Sequence, residues 1–392
     1  MTRKENEKDK RKIRRRSLIR LALALFLLLM SGGMMLLFQR KPEWFFPGYR
    51  NFSKLLMKGI AAVTGLVPFS LWDIGALLLI ILFLVSLVIV LVKKYSLFSW
   101  ISGVVLTISI LGSFAVNGWM LNHYAPKLSD EIGLEVRKYS EEELFLATKY
   151  YLKKASEYAR LQERDADDQL VRQDFNALAV RAGKVYESLS GRCPFFDGGS
   201  YTRVKKLSLT GKFFLSRGIS GIYMPITAES SIPALDAAAD IPYTMAHECA
   251  HRLGIASEEE ANFAAFLACE ASEDPYFQYS GYYNAYLYCR SKLLKADPGW
   301  KEKLAEEIEK LGEGAALLHA DVRTSAAWYR QFEKEQAAKQ MEKVNDTYLR
   351  TFSQEEGVKS YGEVVNDLLA WFLSEHAEEE IGTADSALKT AQ

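Results

Sequence analysis

"TMAHECAHRLGIASEEEANFAAF", residues 244–266, decides how the rest of the chain is read. It holds His247, Glu248 and His251 in the order H-E-x-x-H, and Glu258, Glu259 and Glu260 follow after a short turn through Gly254. On a helix, residues four apart share a face, so both imidazoles can be aimed at one ion. Glu248 is rotated from His247 by about 100°. That sets its carboxylate beside an open metal position, where it can take a proton from bound water. Zinc supplies the other half of the chemistry, lowering the pKa of that water to about 7 and polarising a carbonyl. The competing reading is an amphipathic helix with a charged start to the next one. It explains the glutamates, which are favoured at a helix N-terminus, but not why two of only five histidines fall four residues apart.

A third ligand has to come from the glutamates. They point three ways round a helix, so one or two at most can face the ion. Glu260 stands three residues after Ser257, the spacing of a capping box, which gives it a structural task. Glu258 has Asn262 one turn later on its own face. An amide oxygen there can accept the outer N–H of a ligand histidine and fix its tautomer. Glu258 is the expected ligand and Glu260 the alternative.

The surroundings are set by charge and hydropathy. The 49 basic and 49 acidic residues cancel over the whole chain, but residues 1–121 hold 17 Lys and Arg against 5 Asp and Glu, leaving 32 against 44 for the remainder. An acidic globular part argues against nucleic acid as a partner. The basic part belongs to a membrane. Uncharged runs at about 21–38, 74–92 and 97–121 are each long enough, or nearly so, to cross about 30 Å of hydrocarbon. The first lacks a small-x-small cleavage site before Gln39 and reads as a retained anchor. Ten Lys or Arg among residues 1–20 place that tail in the cytoplasm, against five in the loop from Gln39 to Asp73. Three spans then carry the rest of the chain out of the cytoplasm.

The expected organisation is a basic tail (1–20), a membrane domain (21–121), an extracytoplasmic domain (122–380) and a disordered tail (381–392). The fold class is mainly α, with a small β region. Helices are expected over most of 127–192, with Ser140 and Glu143 as a capping box. A glycine-rich stretch with strands follows, Gly221–Thr227 being the best strand. Helices return from Asp240, including ones at roughly 298–318, 322–350 and 360–377. Cys193, Cys249, Cys269 and Cys289 permit two disulfides or four buried thiols, and their spacing selects neither.

The H-E-x-x-H of 247–251 with Glu258 on the next helix resembles the gluzincin pattern of membrane-associated zinc peptidases. His247, Glu248, His251 and Glu258 fall on its ligand, base, ligand and ligand positions, and Asn262 stands where that family usually has Asp. The three N-terminal spans, "SGIYMPITAE" and "HECAHRLGIASEEEANF" together look like an uncharacterised bacterial family of membrane-anchored zincin-like proteins. The resemblance implies a zincin-like helical domain outside the membrane. It also implies that Gly221, Ile222 and Tyr223 lie on a strand edge that holds substrate backbone. Tyr282, Tyr283, His319, Tyr361 and His376 are candidates for a further oxyanion donor, although each reads better as aromatic core or exposed polar residue.

The function expected from these residues is a membrane-anchored zinc metallopeptidase of the bacterial plasma membrane. His247, His251 and Glu258 would bind Zn2+, and Glu248 would act as general base and acid on a peptide or protein of the cell envelope. The main rival is a catalytically silent zinc-binding sensor or scaffold. An amidase on cell-wall peptides shares the same chemistry. An intramembrane protease is disfavoured, because Arg252 and three glutamates flank the motif and such charge is costly at membrane depth. The partners implied are the lipid bilayer and the substrate; the sequence sets no oligomeric state.

Overall fold

The computed structural model describes residues 3–199, 202–332, 334–351 and 364–376. The chain divides into two compact units. One runs up to Ala125 and takes in Met224–Glu229; the other comprises Pro126–Tyr223 and the chain from Ser230 on.

The first unit is built on four helices: α1 (Arg3–Arg40), α2 (Pro42–Thr64), α3 (Leu71–Val92) and α4 (Leu97–Gly118). Three helices among the described residues, spanning Glu7–Arg40, Leu71–Val92 and Leu97–Tyr124, are long and apolar enough to cross a membrane. The chain is thus anchored in a lipid bilayer. α1 packs along α4, where Ser31 Oγ donates to Ser113 Oγ at 2.9 Å and Asn117 Nδ2 to Ser31 Oγ at 2.8 Å. Such polar pairs are satisfied within the helix pair rather than left facing hydrocarbon.

The Gln39–Asp73 segment expected to be a loop is mostly α2. Pro47 and Gly48 disguise the helix in the sequence, yet Phe46, Tyr49, Ser53, Met57, Ala61 and Thr64 recur at helical spacing and are buried. The start of α3 is held by a residue distant in sequence. Glu229 Oε1 accepts the Leu71 N–H at 3.0 Å and its Oε2 the Trp72 N–H at 2.9 Å, while Ser70 Oγ accepts from Asp73 N–H at 3.1 Å. Three of the four amides a helix start leaves open are thereby paired.

The second unit is mostly helical. Its helices are α5 (Leu128–Glu131), α6 (Glu141–Ala159), α7 (Phe175–Gly183), α8 (Gly211–Leu215), α9 (Ile241–Arg252), α10 (Glu258–Glu270), α11 (Pro275–Ala296), α12 (Trp300–Leu311), α13 (Glu313–Arg330), α14 (Glu335–Thr351) and α15 (Val364–Glu375). Strands β1 (Lys205–Lys206), β2 (Ile222–Met224) and β3 (Glu229–Ile232) lie in the order β1-β3-β2, with Lys205 opposite Ser231 in a parallel pair. β2 is therefore an outer strand of this sheet among the described residues. The expected strand stops at Met224 because Pro225 cannot donate to a ladder.

Other boundaries also move. The capping box of Ser140 and Glu143 forms, so α6 begins at Glu141 and the preceding stretch from Gly133 is not helical. The break expected between 318 and 322 falls instead at Gly312, whose φ of 59° favours glycine. The expected 381–392 tail and Tyr361 lie outside the described residues. All four cysteines are buried free thiols.

The core of this unit is aromatic. Tyr151 packs edge-on against Phe266 at 5.5 Å and Phe266 against Trp371 at 4.8 Å, tying α6, α10 and α15 together. α9 lies in this interior with α7, α10 and α11 around it. Its first turn is secured by Ser280 Oγ, which accepts the Tyr243 N–H at 3.0 Å.

Candidate functional site: a histidine and glutamate cluster between two helices

α9 ends at Arg252, and Gly254, with φ of 91°, turns the chain into α10. A left-handed residue of this kind closes a helix cheaply only when it is glycine. The reversal brings the start of α10 against the end of α9. His247 Nε2 lies 3.1 Å from His251 Nε2 and 3.2 Å from Glu258 Oε2, and His251 Nε2 lies 3.7 Å from Glu258 Oε1. Ligand atoms of these three residues all fall within 4.8 Å of one another, and they form the only such group among the described residues.

The far side of each ring is also fixed. His247 Nδ1 is 2.9 Å from Asn262 Oδ1, and His251 Nδ1 is 2.7 Å from the Ile255 carbonyl oxygen. Both partners are acceptors, so Nδ1 is the donor in each ring, and a neutral ring turns a bare Nε2 lone pair inward. Two lone pairs and a carboxylate then converge on one point, an arrangement that repels itself unless a positive charge joins it. With tetrahedral bonds of about 2.0–2.1 Å, neighbouring zinc ligands stand about 3.3 Å apart. The three separations here straddle that value, so the donor set fits such an ion.

Glu248 is 4% exposed and its Oε2 has no hydrogen-bond partner among the described residues. Its backbone carbonyl accepts from Ser230 Oγ on β3 at 2.7 Å. Gly221, just before β2, presses on its side chain: a Cβ there would meet Glu248 Oε1 at 2.3 Å and Cδ at 2.7 Å. A larger residue there would force the Glu248 carboxylate to move.

The electrostatics of the protein groups alone follow from burial. Burial pushes the Glu248 carboxyl up to about 8, opposed by His247 and reinforced by Glu258 and Asp236. Burial pulls His251 down to about 4 against the attraction of Glu258, with His247 adding to the fall. His247 feels the same burial, but its hydrogen bond to Glu258 and the charges of Glu258 and Glu248 outweigh it, and the net shift is upward.

Each residue singled out in the sequence has a definite place. His247, His251 and Glu258 are brought together, with Asn262 behind His247 and Glu248 beside them. Glu260 is not brought in. Its Oε1 accepts the Leu128 N–H at 2.9 Å, and burial raises its carboxyl to about 8 against that bond. The capping box proposed for it does not form either, since Ser257 makes no side-chain cap bond. A buried amide at the start of α5 has taken the carboxylate that local spacing assigned to the helix cap. Gly221 lies against Glu248, while Ile222 and Tyr223 lie on the edge strand.

Tyr282 is stacked in the aromatic core against Tyr158 at 5.5 Å, and His376 against Tyr150 at 4.7 Å. His319 Nε2 faces Tyr286 Oη at 3.3 Å, and Tyr283 is buried beside Tyr279. Two residues near the cluster had no signal in the sequence. Tyr288 stands beside Tyr243, whose hydroxyl donates to the Asn262 carbonyl at 2.8 Å, and within electrostatic reach of Glu258. Asp236 is fully buried, with neither carboxylate oxygen paired among the described residues. One tyrosine of twenty and one aspartate in a loop are marked only by what the fold sets beside them.

No curated protein and no solved structure matches the chain. Residues 49–369, which take in part of α2, both later candidate spans, the whole 247–262 cluster and half of α15, match one family model. The chain belongs to the family described as Protein of unknown function (DUF3810).

Proposed function

We propose that the chain is a membrane-anchored zinc metallopeptidase of gluzincin type, acting on peptide or protein segments of the bacterial cell envelope. One observation carries the reading: a buried carboxylate, Glu248, has an oxygen with no hydrogen-bond partner among the described residues, beside the His247, His251 and Glu258 donor set. A purely structural ion has no use for such a group. Two imidazoles and one carboxylate suit zinc, and three protein ligands with an open place are the catalytic rather than the structural pattern. When bound, zinc supplies Lewis acidity and lowers the pKa of a water molecule to about 7.

The chain's own residues do the rest. Asn262 and the Ile255 carbonyl hold both imidazoles by Nδ1, so that Nε2 is free to ligate. Glu248 takes the proton of the attacking water at Oε2 and returns it to the departing amine nitrogen as the C–N bond breaks and the new C–O bond forms. Its burial favours the protonated form that the second half of this cycle requires. Gly221 lets β2 approach this carboxylate, and an outer strand such as β2 suits an extended substrate backbone added alongside it, ending at Pro225. The start of α1 lies in the cytoplasm and the second unit outside it, in keeping with the basic residues in the first half of α1.

The test is proteolysis of a peptide library by the zinc-loaded full chain in detergent, with Glu248→Gln beside it. Loss of a general base lowers turnover by about 10²–10⁴-fold, and the variant should keep its zinc. A fully loaded wild-type chain that cleaves nothing would favour the silent sensor instead.

A further inference from the structure

We infer that α2 is an interfacial helix lying in the plane of the bilayer, with its outward apolar face among lipid acyl chains. The helix has three distinct sides. Phe46, Tyr49, Ser53, Met57, Ala61 and Thr64 form the buried stripe. At about 100° per residue, all of its charged side chains (Glu43, Arg50, Lys54 and Lys58) fall within an arc of about 80° on one flank of that stripe. The side opposite the buried stripe carries Trp44, Phe52, Leu55 and Val63. These are large, apolar and open, Trp44 being 74% and Leu55 73% exposed.

The position of α2 identifies what covers that side. α1 ends at Arg40 and α2 begins at Pro42; α2 ends at Thr64 and α3 begins at Leu71. Both neighbours are candidate spans, so each end of α2 is tied to a surface of the bilayer. The contacts of its buried stripe are with the outer ends of the spans. Tyr49 packs edge-on to Phe38 near the end of α1 at 5.1 Å, and Ser53 Oγ donates to the Gly118 carbonyl at the end of α4 at 2.8 Å. α2 therefore lies across the ends of α1 and α4 rather than along them.

Two other placements conflict with these features. A fourth span would carry Arg50, Lys54 and Lys58 to hydrocarbon depth, which is costly. A helix in water would expose a continuous apolar face next to a membrane that could cover it. A helix in the interface puts the charged flank at the headgroups and the apolar face in the acyl boundary, with Trp44 at the level where tryptophan concentrates. The lipid contact of the first unit thus extends beyond its three spans to a segment that does not cross.

The test uses the full chain reconstituted in vesicles of phosphatidylethanolamine and phosphatidylglycerol, spin-labelled in turn through Leu55→Cys, Val63→Cys and Lys58→Cys. The four native cysteines are buried, and unsubstituted protein treated identically gives the background. Relaxation by oxygen, which partitions into acyl chains, is compared with relaxation by a water-soluble nickel chelate. We expect an oxygen-to-nickel ratio at positions 55 and 63 several-fold above that at 58. Strong nickel access at both would put the face in water and overturn the inference. Low access to both reagents would mean that a protein partner or a second copy covers it, and would overturn it equally. Either of the two apolar positions suffices should the other variant fail to fold.

Discussion

Asn262 decides what His247 can do. By accepting at Nδ1 it fixes the tautomer that turns Nε2 toward His251 and Glu258. We expect Asn262→Ala to weaken metal binding by about 10–100-fold while α10 stays folded, as read by competition with a chelator and by circular dichroism. Unchanged affinity would show that the ring needs no such support. At this scale the sequence was informative wherever geometry is local. The i, i+4 spacing of His247 and His251 places both rings on one face before any tertiary contact is known. The choice of Glu258 over Glu260 rests on the same helical geometry with Asn262. The pressure of Gly221 on Glu248 and the burial of Asp236 depend on chain segments meeting in space, and no spacing rule reports them.

Helices α1, α3, α4, α9 and α10 could be read from hydropathy, spacing and turn signals. α2 could not, because Pro47 and Gly48 interrupt a pattern whose buried positions emerge only against α1 and α4. The start of α3 is the clearest case of an element completed from afar. Its amides are paired by Glu229, more than 150 residues away, through two hydrogen bonds to a carboxylate. A hydrogen bond to a charged group contributes about 1.5–3 kcal/mol. Glu229→Ala should therefore speed hydrogen exchange at the Leu71 and Trp72 amides by tenfold or more, from about 1.4 kcal/mol per tenfold, with the middle of α3 unaffected. Exchange that does not change at these two amides would mean that Ser70 and water suffice.

For the molecule as a whole, hydropathy identified the spans, but not the segment Met224–Glu229 that joins the membrane unit from the middle of the second one. Stability at this scale should depend on pH through the loop that enters α9. Burial raises the Asp240 carboxyl from its ordinary 3.8 to about 6, against hydrogen bonds from Tyr329 and Asn284. Between those two values the folded chain keeps a proton that the unfolded chain has lost. This contribution is therefore fully present below pH 3.8, falls as pH rises toward 6, and is level above it. A shift of this size corresponds to about 3 kcal/mol. Asp240→Asn, which keeps an acceptor for Tyr329, should lessen the wild-type decline in urea midpoint between pH 4 and 6, leaving the part due to Glu248 and Glu260. Parallel curves for the two proteins would show that Asp240 ionises freely in the fold.

The central claim is that His247, His251 and Glu258 hold one zinc ion. Its most direct test is the metal content of the purified full chain, with His247→Ala, Glu258→Ala and Glu260→Ala measured beside it. The account predicts near one zinc per wild-type chain, lost on changing His247 or Glu258 and kept on changing Glu260. A well-folded wild-type chain that takes up no zinc, or zinc retained without Glu258, would contradict it.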